Sequence, residues 1–444
     1  MTDIHLGFLL IGALVVLVLL GMEIAVALFS VAFVGVWVMR DNVELAFRLL
    51  NISAWNGIAD YLFATIPLFV LMGLLVSAAD IGRDTFDVAE ALLKRLLGGL
   101  AVATVAANTV FAAVTGVSIA SAAVFTRVAV PEMRRHGYRP AFAAGVVAGS
   151  SVLGMMIPPS LLLIIYGVLA EVSIGAMFVA GVTPGLMLAG GFVAMILALA
   201  ALRPGHVFAD PAAARAAAGR GGAVPIRTAM TGAEMAARIA PILILVVLVL
   251  GGLYSGFFTP TEAGGVGAFG ALVVALARRR LDRATFWALL KQTGAVSVGI
   301  LILLVAAGFY GRMLAVAGIP AAIGDLVAGA ELGRWGFLLL YVAIVLGMGM
   351  ILDSSSILLI MVPIAAPIAQ GLGFDLVHFG IITVIAVEIG LLTPPFGISI
   401  FTVHNTLGDR GVAVEQIFGG ALPFVAVMLA VLVVIAAAPG LLLA

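Results

Sequence analysis

Two double prolines stand inside apolar runs. One lies in Gly149-Ser150-Ser151-Val152-Leu153-Gly154-Met155-Met156-Ile157-Pro158-Pro159-Ser160, the other in Glu388-Ile389-Gly390-Leu391-Leu392-Thr393-Pro394-Pro395-Phe396-Gly397. Proline has no N–H and its ring collides with the preceding turn, so two in succession unwind a helix. The carbonyls released need partners, because a polar group stranded away from water costs several kcal/mol. A small hard cation satisfies them, since it takes several oxygen ligands at once. Ser150, Ser151 and Thr393 add hydroxyl oxygens beside the breaks, and Gly154 and Gly390 let backbones approach.

Two more polar clusters interrupt long apolar stretches: Thr115-Gly116-Val117-Ser118-Ile119-Ala120-Ser121 within 100–131, and Asp353-Ser354-Ser355-Ser356 within 335–369. Two short helices with a polar tip between them make a re-entrant hairpin. Irregular backbone of that kind survives at membrane depth only where protein or water buries it. Pairing each broken helix with a tip yields two oxygen-rich nests, each expected to hold a sodium ion. Thr115, Ser118, Ser150, Ser151, Gly154 and Pro158 line the first. Gly349, Asp353, Ser354, Gly390, Thr393 and Pro394 line the second. A solute is expected between the tips, near Ser118, Ser121, Ser354, Ser355 and Ser356, where the N-termini of half-helices hold a carboxylate.

Four charged residues admit two readings each. Arg127, in the outgoing arm of the first hairpin, either clamps a substrate carboxylate or snorkels to the interface. Asp353 either ligates a cation or caps the helix that follows. Glu388 is either a coupling or proton site, or a protonated or paired structural group. Glu262, in Thr259-Pro260-Thr261-Glu262, fits a capping box with proline at the first helical position better than a site. The five histidines make no metal-ligand spacing, and there is no cysteine for a disulfide, a thiolate nucleophile or a thiolate metal site. No Walker-type loop, HExxH, GxSxG or paired-aspartate motif occurs, which argues against an ATP-driven pump or an intramembrane protease. Net charge is zero, and nothing points to nucleic acid.

The elements that must position these groups belong to an all-α integral membrane protein. Of 444 residues, 64% are hydrophobic and 10% charged, against about 25% charged in soluble domains. Ten full spans are expected near 5–20, 23–39, 61–79, 141–165, 176–202, 239–253, 263–277, 294–316, 376–402 and 417–443, besides the two hairpins. The N-terminus reads as a retained span rather than a signal peptide. Basic clusters at Lys94-Arg95, Arg134-Arg135 with Arg139, Arg203 to Arg238, and Arg278-Arg279-Arg280 with Arg283 all fall on the cytoplasmic side if 100–131 is a hairpin. Both termini then lie outside.

The halves resemble each other at an offset of 236: Ser118 and Ser354, Pro131 and Pro367, Gly154 and Gly390, Pro158-Pro159 and Pro394-Pro395. Residues 1–202 form the first repeat, with hairpin 100–131 and broken helix 141–165. Residues 203–238 are a cytoplasmic linker. Residues 239–444 form the second repeat, with hairpin 335–369 and broken helix 376–402. Five spans and a hairpin per half make the second repeat inverted, which points to a secondary transporter with a midplane site.

Several motifs together resemble the large membrane subunit of tripartite ATP-independent periplasmic (TRAP) transporters, the DctM-like type, over nearly the whole chain. They are Gly252-Leu253-Tyr254-Ser255-Gly256-Phe257-Phe258-Thr259-Pro260-Thr261-Glu262-Ala263; Gly154 to Ser160 with Tyr166-Gly167; Leu352-Asp353 with Pro363 and Pro367; and His378-Phe379-Gly380 leading to Gly390 through Gly397. The resemblance implies an elevator-type symporter in the bacterial inner membrane, driven by a sodium gradient and importing a small organic anion such as a C4-dicarboxylate or sugar acid. It also implies a periplasmic solute-binding protein and a small four-helix membrane subunit. The chain has no extra four spans at its start, so that subunit is expected on a separate polypeptide. The first two spans of each repeat would be scaffold; hairpins and broken helices would move. Thr115-Gly116-Val117-Ser118 stands where many members carry a Gly-Ser-Ser run, Thr126-Arg127 replaces small residues, and Ser399 replaces a frequent Asn. The alternative is a stand-alone elevator-type anion–sodium symporter, which the absence of neighbouring binding-protein and four-span genes would favour.

Overall fold

The computed structural model describes residues 2–59, 61–93, 95–212, 230–408 and 412–442, without the side chains of 58 and 328. Lys94 and most of the expected linker, residues 213–229, lie outside the described residues. Nineteen main helices are described: α1 Asp3–Leu19, α2 Ile24–Arg40, α3 Val43–Ala59, α4 Thr65–Ala78, α5 Ile81–Leu93, α6 Gly99–Thr115, α7 Ser118–Arg135, α8 Pro140–Ser151, α9 Leu161–Leu169, α10 Ile174–Leu202, α11 Gly232–Val246, α12 Pro260–Ala277, α13 Arg283–Ala317, α14 Ile319–Gly329, α15 Gly333–Gly349, α16 Ser354–Gly371, α17 Leu376–Gly390, α18 Ile398–Leu407 and α19 Val414–Ala437.

Among the described residues seven helices are long and apolar enough to cross a bilayer, and the pair Pro140–Met156 and Leu161–Leu169, bent by 44°, adds an eighth. One of the seven is α16, which had been expected as a hairpin arm. Of the ten expected spans, six are among the seven, 141–165 is the bent pair, and three are neither. Helices α1 and α2 have 17 residues each, about 25 Å at the usual rise per residue. The third, 376–402, is divided into α17 and α18.

Three helices lie outside the expected spans. Helix α5 carries Arg83, Asp84 and Asp87 beside the buried Ile81, Phe86 and Val88, so its apolar stripe was too narrow to read as a span. Helix α3 is likewise polar, with Glu44, Arg48, Asn51 and Asn56. The third, α14, is only 11 residues long. Helix α13, at 35 residues, starts well before the expected 294. Helix α11 starts at Gly232, inside the expected linker.

Most elements of the second half repeat those of the first 236 residues later. Helices α7 and α16 begin and end at that offset; α8 and α17 share their start, as do α2 and α12. The long α13 covers the positions that α3 and α4 occupy separately in the first half.

The basic clusters converge. The Arg139 N–H donates to the Val207 carbonyl and the Ala209 N–H to the Gly137 carbonyl, both at 2.9 Å, joining the second cluster to the third. Arg238 donates to Asp87 at 2.8 Å, Arg278 pairs with Asp84, and Arg278 also donates to the Arg238 carbonyl at 3.3 Å. Helix α5 thereby ties the third and fourth clusters together at the same end of the molecule.

Candidate functional site

In the first half, Gly116 adopts φ +65° between α6 and α7, a left-handed turn that glycine makes without a Cβ penalty. The segment Ile157–Ser160 separates α9 from the turn Leu153–Met156. Pro159 cannot donate to the Met155 carbonyl, and the Ser160 hydroxyl does so instead. Tip and break are joined by the Leu161 N–H, which donates to the Gly116 carbonyl at 3.2 Å. A Cβ on Gly116 would stand 2.5 Å from the Pro159 carbonyl oxygen, and one on Gly154 would stand 3.1 Å from the Val117 carbonyl carbon. These two glycines let the tip press onto the break.

Thr115, Ser118, Ser121, Ser150 and Ser151 are all buried there. Asn108, fully buried, lies at the centre: its amide donates to the Ser150 hydroxyl at 2.6 Å and its carbonyl accepts from Ser121. It thus links both hairpin arms to the broken helix. The sequence reading missed Asn108, although an amide amid apolar helix residues is costly in hydrocarbon and is itself a signal. The Ser151 hydroxyl donates to the Ala148 carbonyl at 2.8 Å, and Thr115 to Phe111 at 2.9 Å, so their oxygens keep free lone pairs. Ser121 is turned to Asn108, within the hairpin. Arg127 is exposed, nine residues along α7 from Ser118, about 13 Å from the tip. It is not brought into the nest.

In the second half, the Phe396 N–H donates to the Met350 carbonyl at 3.3 Å, again joining tip to break. A Cβ on Gly349 would stand 2.7 Å from the Gly390 Cα, and one on Gly390 2.6 Å from the Gly349 Cα. Asp353 caps α16: its carboxylate accepts from the Ser355 N–H at 3.1 Å, the Ser356 N–H at 3.3 Å, and the Ser356 hydroxyl. Of the two readings of Asp353, capping is the one its hydrogen bonds display. Ser354 and Ser356 are buried and Ser355 half-buried. The Ser354 hydroxyl donates to buried Glu388 at 3.4 Å. Thr393 donates to the Ile389 carbonyl at 2.6 Å. Pro394 and Pro395 are exposed, whereas Pro158 and Pro159 are buried. At both breaks the proline carbonyls accept no backbone hydrogen bond among the described residues.

The half-helices also interlock. The Tyr166 hydroxyl of α9 donates to the Leu376 carbonyl at the start of α17 at 2.7 Å, and its ring lies where a Cβ on Gly380 would be. Thr259 and Glu262 form the capping box: the Thr259 N–H donates to Glu262 at 2.8 Å and the Glu262 N–H to the Thr259 hydroxyl at 3.3 Å.

A family model described as the tripartite ATP-independent periplasmic transporter, DctM component, matches residues 11–441. The chain belongs to this DctM family. It is 34% identical to a C4-dicarboxylate TRAP transporter large permease protein of Pseudomonas aeruginosa, over 89% of both chains. It is 29% identical to a sialic acid TRAP transporter large permease protein of Vibrio cholerae, over 89% of this chain and 91% of that one. Its fold is similar to that of the Alcanivorax borkumensis YdaH transporter, with a TM-score of 0.61 at 15% identity over 90% and 89% of the two chains. This DctM chain is therefore a multi-pass membrane transport component and not an enzyme.

Proposed function

We propose that this DctM chain is the membrane subunit of a sodium-coupled, binding-protein-dependent importer of a small organic anion, working by an elevator motion in the inner membrane. The observation that carries the reading is the pair of broken helices, each held by its hairpin tip through a backbone hydrogen bond, at Leu161–Gly116 and Phe396–Met350. Their donor sets are all oxygen: proline-segment carbonyls without backbone partners among the described residues, serine and threonine hydroxyls, and the Asn108 side-chain carbonyl. Such a set suits a small hard cation and offers nothing to a soft one. One sodium ion belongs at each break.

The named cargoes of the two relatives, C4-dicarboxylates and sialic acid, share a carboxylate, and that class is proposed for this chain. The start of α7 supplies backbone N–H groups for it, and at α16, where Asp353 already takes the Ser355 and Ser356 N–H groups, the Ser354 N–H remains, with the Ser118, Ser354 and Ser355 hydroxyls beside them. The partners are a periplasmic solute-binding protein, which delivers the anion, and a small four-helix membrane subunit.

Reconstituted uptake tests this. In proteoliposomes holding both membrane subunits, organic-acid uptake should require an inward sodium gradient and the binding protein. Uptake that persists with potassium on both sides, or without the binding protein, would overturn the reading.

A further inference from the structure

The two nests have the same backbone plan but not the same side chains. The first nest's polar centre, Asn108, Ser121 and Ser150, maps at an offset of 236 onto Ile344, Ile357 and Ala386, all apolar. The second nest reverses the pattern: Glu388 stands where the first half has Val152. Glu388 is 1% exposed. One oxygen accepts only the long 3.4 Å bond from Ser354. The other, Oε2, is buried with no partner among the described residues. The carboxyl lies two residues before Gly390, whose Cα abuts Gly349 at the hairpin tip.

Structural carboxylates in such surroundings are held by several donors or by a cation, since desolvating one without them is costly. Asp353 shows the contrast, with three donors on its two oxygens. From this orphaned oxygen we infer that Glu388 is a direct ligand of the cation in the second nest, giving that nest a fixed negative charge the first does not have. The inference rests on reading the breaks as sodium nests. It makes them inequivalent: sodium at Glu388 forms a neutral pair, strengthened by low dielectric, while sodium among the neutral oxygens of Asn108, Ser150 and Ser151 keeps its charge. The second nest is the tighter, and the first is left to be balanced by the anionic cargo.

Equilibrium binding of radioactive sodium to the purified protein in detergent tests this without transport. The wild type should bind two ions in two affinity classes. Glu388→Gln keeps the size and removes the charge; it should lose the tighter class and retain the weaker. Glu388→Asp, which keeps the charge on a shorter arm, covers the case in which the glutamine variant does not fold. It should retain both classes with the tighter weakened by roughly tenfold or more, the size of effect that disturbing a metal's surroundings has. A wild type that binds no sodium would overturn the nests themselves. A wild type with two classes, both unchanged in Glu388→Gln or, failing that, in Glu388→Asp, would overturn the role of Glu388 alone.

Discussion

Asn108 joins three segments with one side chain, because a carboxamide donates and accepts at once. Its amide reaches Ser150 and its carbonyl takes the Ser121 proton. Asn108→Ala strands the buried Ser121 hydroxyl, while Ser150 keeps its bond to the Val146 carbonyl at 2.7 Å, and a buried group left unpaired costs about 1–3 kcal/mol. The apparent melting temperature in detergent should fall, more than for Ser121→Ala, which leaves Asn108 its bond to Ser150. The hydroxyl ligands are tested differently. Ser151→Ala and Ser354→Ala each remove one oxygen with little change of volume, so expression should hold while the sodium concentration for half-maximal uptake rises. Unchanged sodium activation in both variants would count against the assignment of the nests. At the same scale Arg127 is exposed and remote from the tip, so Arg127→Gln should leave the substrate KM unchanged.

The elements depend on backbone contact at the breaks. Gly349 and Gly390 let α15 and α17 touch where the helix is about to unwind. Gly390→Ala places a methyl group against the Gly349 backbone, which cannot rotate aside as a side chain would. Overpacking of this kind costs about 1–3 kcal/mol. The tip should lift from the break, and sodium binding should weaken along with stability. Gly347→Ala on α15, two residues before Gly349, is the control, for nothing lies within 4 Å of its added Cβ. That variant should behave as wild type in the same melting and sodium titrations. Tyr166 and Gly380 act in the same way between the halves, so the Tyr166-Gly167 and His378-Phe379-Gly380 motifs are explained as a docking contact rather than as cargo ligands.

At the scale of the molecule, Asp84 and Asp87 of the first half meet Arg238, the last residue of the expected linker, and Arg278 of the second half. Burial pushes the Asp87 carboxyl above its usual range, although Arg238 and Arg83 pull it down. The group is thus substantially desolvated and needs its partner. The pairs are partly exposed, which limits their strength. Arg278→Ala should lower stability by about 1–2 kcal/mol, between the values for exposed ion pairs and for buried hydrogen bonds to charged groups. Added salt should narrow the gap between variant and wild type, because screening weakens the intact pairs. A gap independent of salt would mean that Arg278 acts through packing.

The sequence by itself was enough for the class of fold, the two polar clusters, the double prolines and the 236-residue offset. Each is a local matter: hydrophobic runs, residues that cannot continue a helix, and repetition of both. That is why helices α7 and α16 keep the offset at both ends, and why the nest residues Thr115, Ser118, Ser150, Gly349, Ser354 and Gly390 were legible as types. Helices α3, α5 and α14 were not, since a short amphipathic or weakly apolar helix carries no span-length signal. What partners what was decided only in the tertiary structure. Asp353 turns to its own helix, Ser121 to Asn108, and Glu388 is left with an oxygen that no donor among the described residues meets. Hydrogen-bond partners from distant segments depend on which helices cross and at what depth, and helical periodicity records neither.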